Sequence, residues 1–454
     1  MTVSPVMQRL AAYIAQAPRR RLPAAVAEKT KHHLLDTIAA MVSGSRLLPG
    51  RKAIAYARTR GGTKEAGVVA TNIITTAENA ALANGMLAHA DETDDSHAPS
   101  LTHPGCGIVP AALAMAEREA ASGEALLRAI ALGYDVGCRL TMALDAYQFR
   151  EDGHSTHSFG PMFGAAAAAA SLARFDERQV RHCLSYTAQQ AAGISCWMRD
   201  EEHIEKAFDF GGMPARNGVA AALMVRHGFT GVEDALSGER SFFVAYGREP
   251  EPQRLIDALG ERYEIMATNI KRWSVGSPIQ APLDALDLLM REQGVKAADV
   301  EQLVVRVAHQ GANTTDNRAM PDICMQHLCA VMLLDGTVSF KAAHDDKRMR
   351  DPRVLALRKK VQLLGDDQLS AAMPSRQGIV ELTRRDGRTL RQHVTAVRGT
   401  AENPMMRAEV DAKAHDLIAP VYGKARARRL CDAIWAVDEL GNVAKLRTLL
   451  KEER

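Results

Sequence analysis

Aromatic residues are scarce, at 5% of the 454-residue chain, and the formal net charge is only +3. With its basic residues dispersed along the chain, the sequence lacks the basic stripe and stacking rings of a nucleic-acid reader, so no nucleic-acid partner is expected. No apolar run approaches the roughly 18 residues that span a bilayer, which leaves no membrane role. A secretory signal pattern is missing too, and a cytoplasmic location is expected. The opening VMQRLAAYIAQAPRRRLP, amphipathic and arginine-bearing, reads as a first surface helix. Seven cysteines, at 106, 138, 183, 196, 324, 329 and 431, are odd in number, scattered and never spaced C-x-x-C. That disfavours a disulfide framework or a zinc ribbon. Cys324 and Cys329 read as buried small residues on one helix, and no metal is expected. Neither a phosphate loop nor a nucleophile elbow is found.

What the chain does contain is enough apolar material for a sizeable core: hydrophobic residues make up 46% and charged residues 24%, the balance of a globular protein. Its length exceeds a single hydrophobic core, so two domains are expected. From Val6 to about Leu259, alanine- and leucine-rich helical segments alternate with short Gly, Pro and Asp breaks. Six consecutive alanines, Ala165 to Ala170, and Gly218 to Met224 predict closely approaching helices. After Met266 the pattern changes. Val300 to Ala308, and Gly378 to Leu382 facing Thr389 to Val397, alternate as strands do, with Asp386-Gly387 as a hairpin signal. Pro282 to Gln293 and Met325 to Leu334 read as helices beside them. Glu409 to Leu440 reverts to helix. The expected fold is therefore mainly α with an α+β second domain: an all-helical domain from residues 1–266 and 405–454, and a smaller α+β domain, 267–404, inserted between them.

Five polar clusters interrupt these apolar segments. His89-Ala-Asp-Glu-Thr-Asp-Asp-Ser-His97, closely followed by Thr102-His103-Pro104-Gly105, packs four carboxylates and three imidazoles between two core-seeking helices. Such groups are costly to bury unless they pair or act on a ligand; Glu92, Asp94, Asp95, Ser96 and His103 are its candidates. The alternative is a solvated acidic loop with structural histidines. The second cluster, Gly153 to Gly160, carries His154, Thr156 and His157 at a helix start, where hydroxyls and free N–H groups cap the helix or receive an anion. The third holds Lys206 ahead of Gly211-Gly212 and Asn217-Gly218. The fourth, Lys271-Arg272-Trp273, sits at the change from helical to α+β pattern, where a basic pair can hold an anion. The fifth, Asn313 to Asp322 with Arg318, reads equally well as surface. Cations that neutralise carboxylates, with His or Asp to move a proton, suit proton transfer on an anionic substrate.

In sequence order these elements resemble the MmgE/PrpD family, which includes 2-methylcitrate dehydratases, cis-aconitate decarboxylases and an iminodisuccinate epimerase. His89 to Ser96 is similar to the family's H-x-x-D-[FY]-D-D-[ST], and His103-Pro104-Gly105 to its H-P-G/S. His154-Ser155-Thr156 is similar to its H-x-T turn, and Lys206 before Pro214-Ala215-Arg216-Asn217-Gly218 to its lysine upstream of A-A-R-N-G. Lys271 matches the lysine beginning the second domain, Leu333-Leu334-Asp335-Gly336 the L-L-D-G helix end, and Glu402-Asn403-Pro404-Met405 the E-N-P-M junction. The resemblance spans nearly the whole chain.

This resemblance implies a homodimer and a cofactor-independent hydro-lyase of the 2-methylcitrate dehydratase type, acting on a small di- or tricarboxylate by proton abstraction next to a carboxylate. It implies Asp94, His103, His154, Lys206 and Lys271 as catalytic groups, with Glu92, Ser96, Thr156 and Arg272 binding substrate; which histidine is the base stays open. An epimerase or decarboxylase on the same scaffold is the near alternative, and a non-catalytic carboxylate binder the distant one. The chain departs from the family pattern at Glu92-Thr93, where Asp and an aromatic are typical, and at Gly153, where an aromatic often stands. His157 replaces a common Gly, and Trp273 to Ser277 stands for a P-C/S-C element. The helix before Leu333 opens Asp322-Ile-Cys-Met-Gln-His327 where E-A-K-F-S is common. Those differences imply an altered pocket.

Overall fold

A computed structural model of the chain describes residues 3–452. The chain forms two units. One comprises the chain up to Ala90, Asp94–Thr268 and the chain from Arg407; the other comprises Asp91–Thr93 and Asn269–Met406. The first is helical, assembled from both chain ends, and the second is an inserted α+β unit, the architecture expected from the sequence.

In the helical unit, Pro5–Gln16 is a helix capped by Ser4 that buries Met7, Leu10, Ala11 and Ile14, as its amphipathic pattern predicts. Helix Gly123–Ala143 packs along Thr156–Leu172, and glycines make the approach possible. A Cβ on Gly137 would stand 2.8 Å from the Gly160 carbonyl oxygen, and one on Gly133 would stand 2.9 Å from that of Gly164. The six alanines run round the whole circumference of the helix and are all buried, so it is packed on every side there. Two departures from the expected pattern occur. Ala66–Gly67 pairs with Ile74–Thr75 as a two-residue antiparallel ladder inside the otherwise helical unit. The C-terminal segment is two helices, Arg407–Tyr422 and Lys424–Trp435, separated at Gly423, whose φ of +77° suits glycine and ends the first helix.

The α+β unit carries a four-stranded sheet. Its order is Val361–Asp366, Val300–Ala308, Gly378–Arg384, Thr389–Val394; the first pair is parallel and the others antiparallel. Leu303, Val305 and Val307 point to the core from alternate positions, opposite Val380 and Leu382. The Asp386-Gly387 turn closes the last hairpin with Gly387 at φ +84°. Helices Gln280–Gln293 and Met325–Asp335 cover the sheet through Leu283, Leu286, Leu328 and Met332. Sequence reading missed Val361–Asp366, because VQLLGD is a short apolar run without period-two alternation. No helix among the described residues is long and apolar enough to cross a membrane.

Candidate functional site

In the helical unit, an ionisable cluster forms around one aromatic ring, and its placement follows from how three helices end. Helix Ala77–Ala88 stops at His89, its C-terminal cap, and helix Pro104–Arg118 starts at His103, its N-terminal cap. Pro104 occupies a first-turn position, where its missing N–H is not needed. The third contribution comes from the segment around Lys206. A single helical turn, Ile204–Ala207, enters a π-helical turn, Phe208–Gly212, before Met213–Arg226 resumes α geometry. Gly85 and Gly211 let this turn close onto helix Ala77–Ala88: a Cβ on Gly211 would lie 2.1 Å from the Gly85 carbonyl oxygen. Phe210 is thereby carried against His89. A π-helical turn of this kind is rare and is frequent at functional sites.

Phe210 is the hub. The His157 ring stacks on it at 3.8 Å and 9°, and the His89 ring at 4.3 Å and 18°. Trp197 meets it edge-on at 4.7 Å. The His103 ring lies 5.2 Å from both His89 and His157, and His203 lies 5.1 Å from His89. Lys206 brings the charge. Its Nζ stands 5.2 Å from the Phe210 centroid and 5.4 Å from that of Trp197, within cation–π range of both.

Asp94 binds two of these imidazoles. It is fully buried, accepting from His89 Nδ1 at 2.9 Å through one oxygen and from His103 Nδ1 at 3.0 Å through the other. Burial alone would raise its pKa, but the attraction and hydrogen bonds of His89 and His103 override this and hold it well below the usual carboxylate range. An ionised Asp94 fixes the His103 tautomer, with the proton on Nδ1 and the basic lone pair on Nε2. His157 is the opposite case. Burial, reinforced by His103, Arg150, His89 and Lys206, keeps its pKa well below normal, so the ring is neutral.

The neighbouring Asp95 secures the same segment. It accepts from the Gly105 N–H at 2.9 Å, from Tyr134 OH at 2.6 Å and from His33 Nδ1 at 2.7 Å. Within the π-helical turn, Asp209 accepts from the Ser155 hydroxyl, and burial raises its carboxyl to about 7. Among the described residues, no hydrogen-bond partner meets the buried ring nitrogens His89 Nε2, His157 Nδ1 and Trp197 Nε1.

Of the residues singled out in the sequence, Asp94, His103 and Lys206 meet in this cluster. His154 is stacked on Phe149 at 4.5 Å with Tyr246 and Phe159 around it. Thr156 is buried and donates to the Leu101 carbonyl. Ser96 is half-buried. Glu92 and Lys271 both belong to the α+β unit, where Lys271 Nζ donates to the Glu92 carbonyl at 2.7 Å and lies 3.6 Å from its carboxylate. Arg272 is held by Asp284 at 3.2 Å and Asp287 at 3.0 Å and lies over the Trp273 ring. Its charge is thus met within its own unit. Next to Glu92, Asp91 pairs with His344 at 2.8 Å; His344 is pushed up to about 9, because the Asp91 carboxylate outweighs the effect of burial.

Sequence reading missed Phe210, Trp197 and His203 as members of the site, and placed neither His89 nor His157 among its candidates. His89 opens the acidic motif and was open to selection. Phe210 was not, because nothing in Phe208-Asp-Phe-Gly-Gly212 announces a π-helical turn.

His89, Asp94 and His103 each offer an atom within 4.8 Å of the others, a donor set able to hold a metal ion; the two Asp94 hydrogen bonds already account for that spacing. Asp411, His415 and Cys431 form a second such trio on the C-terminal helices. A cavity of about 280 Å³ lies apart from the ionisable cluster, between the 67–74 loop and the 447–451 segment, and none of the cluster residues lines it.

A mainly helical fold with an inserted α+β unit, and a cluster of buried Asp94 and His103 with half-buried Lys206, defines a class. The MmgE/PrpD N-terminal domain matches residues 8–255 and the MmgE/PrpD C-terminal domain residues 273–439. The chain belongs to the MmgE/PrpD family. It is 27% identical over 301 residues to the cis-aconitate decarboxylase-like protein oryM of Aspergillus oryzae, a match covering 62% of this chain and 61% of that relative.

Proposed function

We propose that the protein is a lyase of small di- or tricarboxylates, working as a hydro-lyase of the 2-methylcitrate dehydratase type. The observation that carries this reading is Asp94 gripping His89 and His103 beside Lys206. In the proposed reaction, His103 Nε2 takes the proton from the carbon next to a substrate carboxylate. Ionised Asp94 stabilises the imidazolium that forms, as a buried carboxylate does when it orients a catalytic histidine. Lys206, held over two rings, neutralises a substrate carboxylate and lowers the cost of the carbanion beside it. The β-hydroxyl then leaves as water, with its proton supplied by an acid of the cluster. Family membership supports a carboxylate substrate, and neutral His157 leaves the cationic role to Lys206.

The relative's name favours a second reading, decarboxylation of an unsaturated tricarboxylate on the same cluster. Both are tested by incubating the purified protein with hydroxylated and unsaturated tricarboxylates while following conjugated-alkene absorbance and released carbon dioxide. Alkene formation from a hydroxy acid without gas supports the hydro-lyase. Carbon dioxide release from an unsaturated acid replaces it with the decarboxylase, and neither signal from any acid contradicts both.

A further inference from the structure

His157 is surplus to the needs of its helix. It is the second residue of Thr156–Leu172, whose N-terminal cap Ser155 makes no side-chain capping bond, and the nearby Ser158 hydroxyl donates to the Ser155 and Ala192 carbonyls. Its ring lies flat on Phe210, edge-on to Trp197 at 5.5 Å, and 5.2 Å from His103. Only 9% of the residue is exposed, and Nδ1 is buried without a partner. The same holds for His89 Nε2 and Trp197 Nε1, on rings that also pack against Phe210. Folded proteins satisfy nearly all their buried polar atoms, so three unpartnered ring nitrogens around one phenyl ring point to polar groups of a ligand.

The kind of group follows from the imidazole. Burial, with the Arg150 and Lys206 charges nearby, keeps it neutral, with one N–H donor and one acceptor nitrogen. A hydroxyl, likewise both donor and acceptor, is its counterpart. A carboxylate only accepts, and Lys206 is the group suited to it.

We propose that His157 is a specificity-determining residue whose Nδ1 hydrogen-bonds a hydroxyl group of the substrate. This rests on the polycarboxylate reading above. A site built to pair a hydroxyl rejects the analogue that lacks it, because the buried ring nitrogen is then left unpaired. Titration calorimetry of the full chain with citrate and with tricarballylate, which has the same three carboxylates and no hydroxyl, isolates that contact.

The wild-type protein is expected to bind citrate about tenfold or more tighter than tricarballylate. His157→Gly should bring the ratio near one. His157→Asn, whose amide sits close to the Nδ1 position, should keep more of the discrimination than His157→Gln, whose amide reaches toward Nε2. That ordering holds the proposal open to refutation even if the glycine variant fails to fold. Binding of both acids with a ratio unchanged in every folded variant, or better discrimination by glutamine than by asparagine, overturns the role of His157 alone. A wild-type protein that binds neither acid overturns the polycarboxylate reading, and this assignment with it.

Discussion

A carboxylate gripped by two imidazoles, as Asp94 is by His89 and His103, leaves those rings little freedom of orientation, and this makes the cluster sensitive to single side chains. On the proposed chemistry, His103→Ala and Lys206→Ala each lower kcat/KM by about two orders of magnitude or more in a steady-state assay. His154→Ala, packed on Phe149, lowers it by less than about tenfold. A loss at His154 as large as that at His103 would contradict the assignment of the cluster. The pairing of Asp91 with His344 predicts a pH effect on stability. Since the His344 pKa is raised to about 9 in the folded chain, its contribution is full below about 6.5 and is lost as pH rises through 9. On the order of 3 kcal/mol is at stake, since the side chain is only 14% exposed. Urea melts at pH 6 and pH 10 should show the wild type losing more stability than His344→Gln; equal losses would contradict the pairing.

At the level of elements, the sequence was most legible where local composition and alternation agree with the fold. The small-residue run Ala77 to Ala90 and the apolar run Ile108 to Ala120 read as helices and overlap helices Ala77–Ala88 and Pro104–Arg118, while the strand Val300–Ala308 and the Asp386-Gly387 hairpin read from alternation and turn residues. Illegible features depend on tertiary context. Val361–Asp366 is a strand because Val300–Ala308 offers it an open edge, and Phe208–Gly212 takes π geometry where Gly85 and Gly211 meet. The site divides in the same way. Asp94, His103 and Lys206 stood out as charges in apolar surroundings. Phe210 and Trp197, ordinary aromatics in sequence, join them only through the fold. The glycine contact between helices Gly123–Ala143 and Thr156–Leu172 yields a stability prediction. Gly137→Ala should cost about 1–3 kcal/mol in urea unfolding, because its Cβ meets the Gly160 carbonyl. Gly441→Ala, with nothing within 4 Å of the added carbon, should stay within about 0.5 kcal/mol. Equal effects would mean that the close approach does not set the packing.

For the whole molecule, the family resemblance proposes a homodimer; light scattering behind a sizing column should then give twice the 49.3 kDa chain mass. A mass of one chain would refute the dimer and leave the chemistry untouched. The central claim is that the Asp94–His103 pair moves a proton next to a substrate carboxylate. Proton NMR in D2O of the EDTA-treated protein, with citrate, 2-methylcitrate, cis-aconitate, malate-like and amino-dicarboxylate acids, tests it directly. The account predicts vinyl protons arising from a hydroxy acid, together with deuterium entering beside a carboxylate, both abolished in His103→Ala. Deuterium exchange without a new compound would turn the hydro-lyase into an epimerase. No exchange with any acid, or exchange that persists undiminished in His103→Ala, would contradict the account.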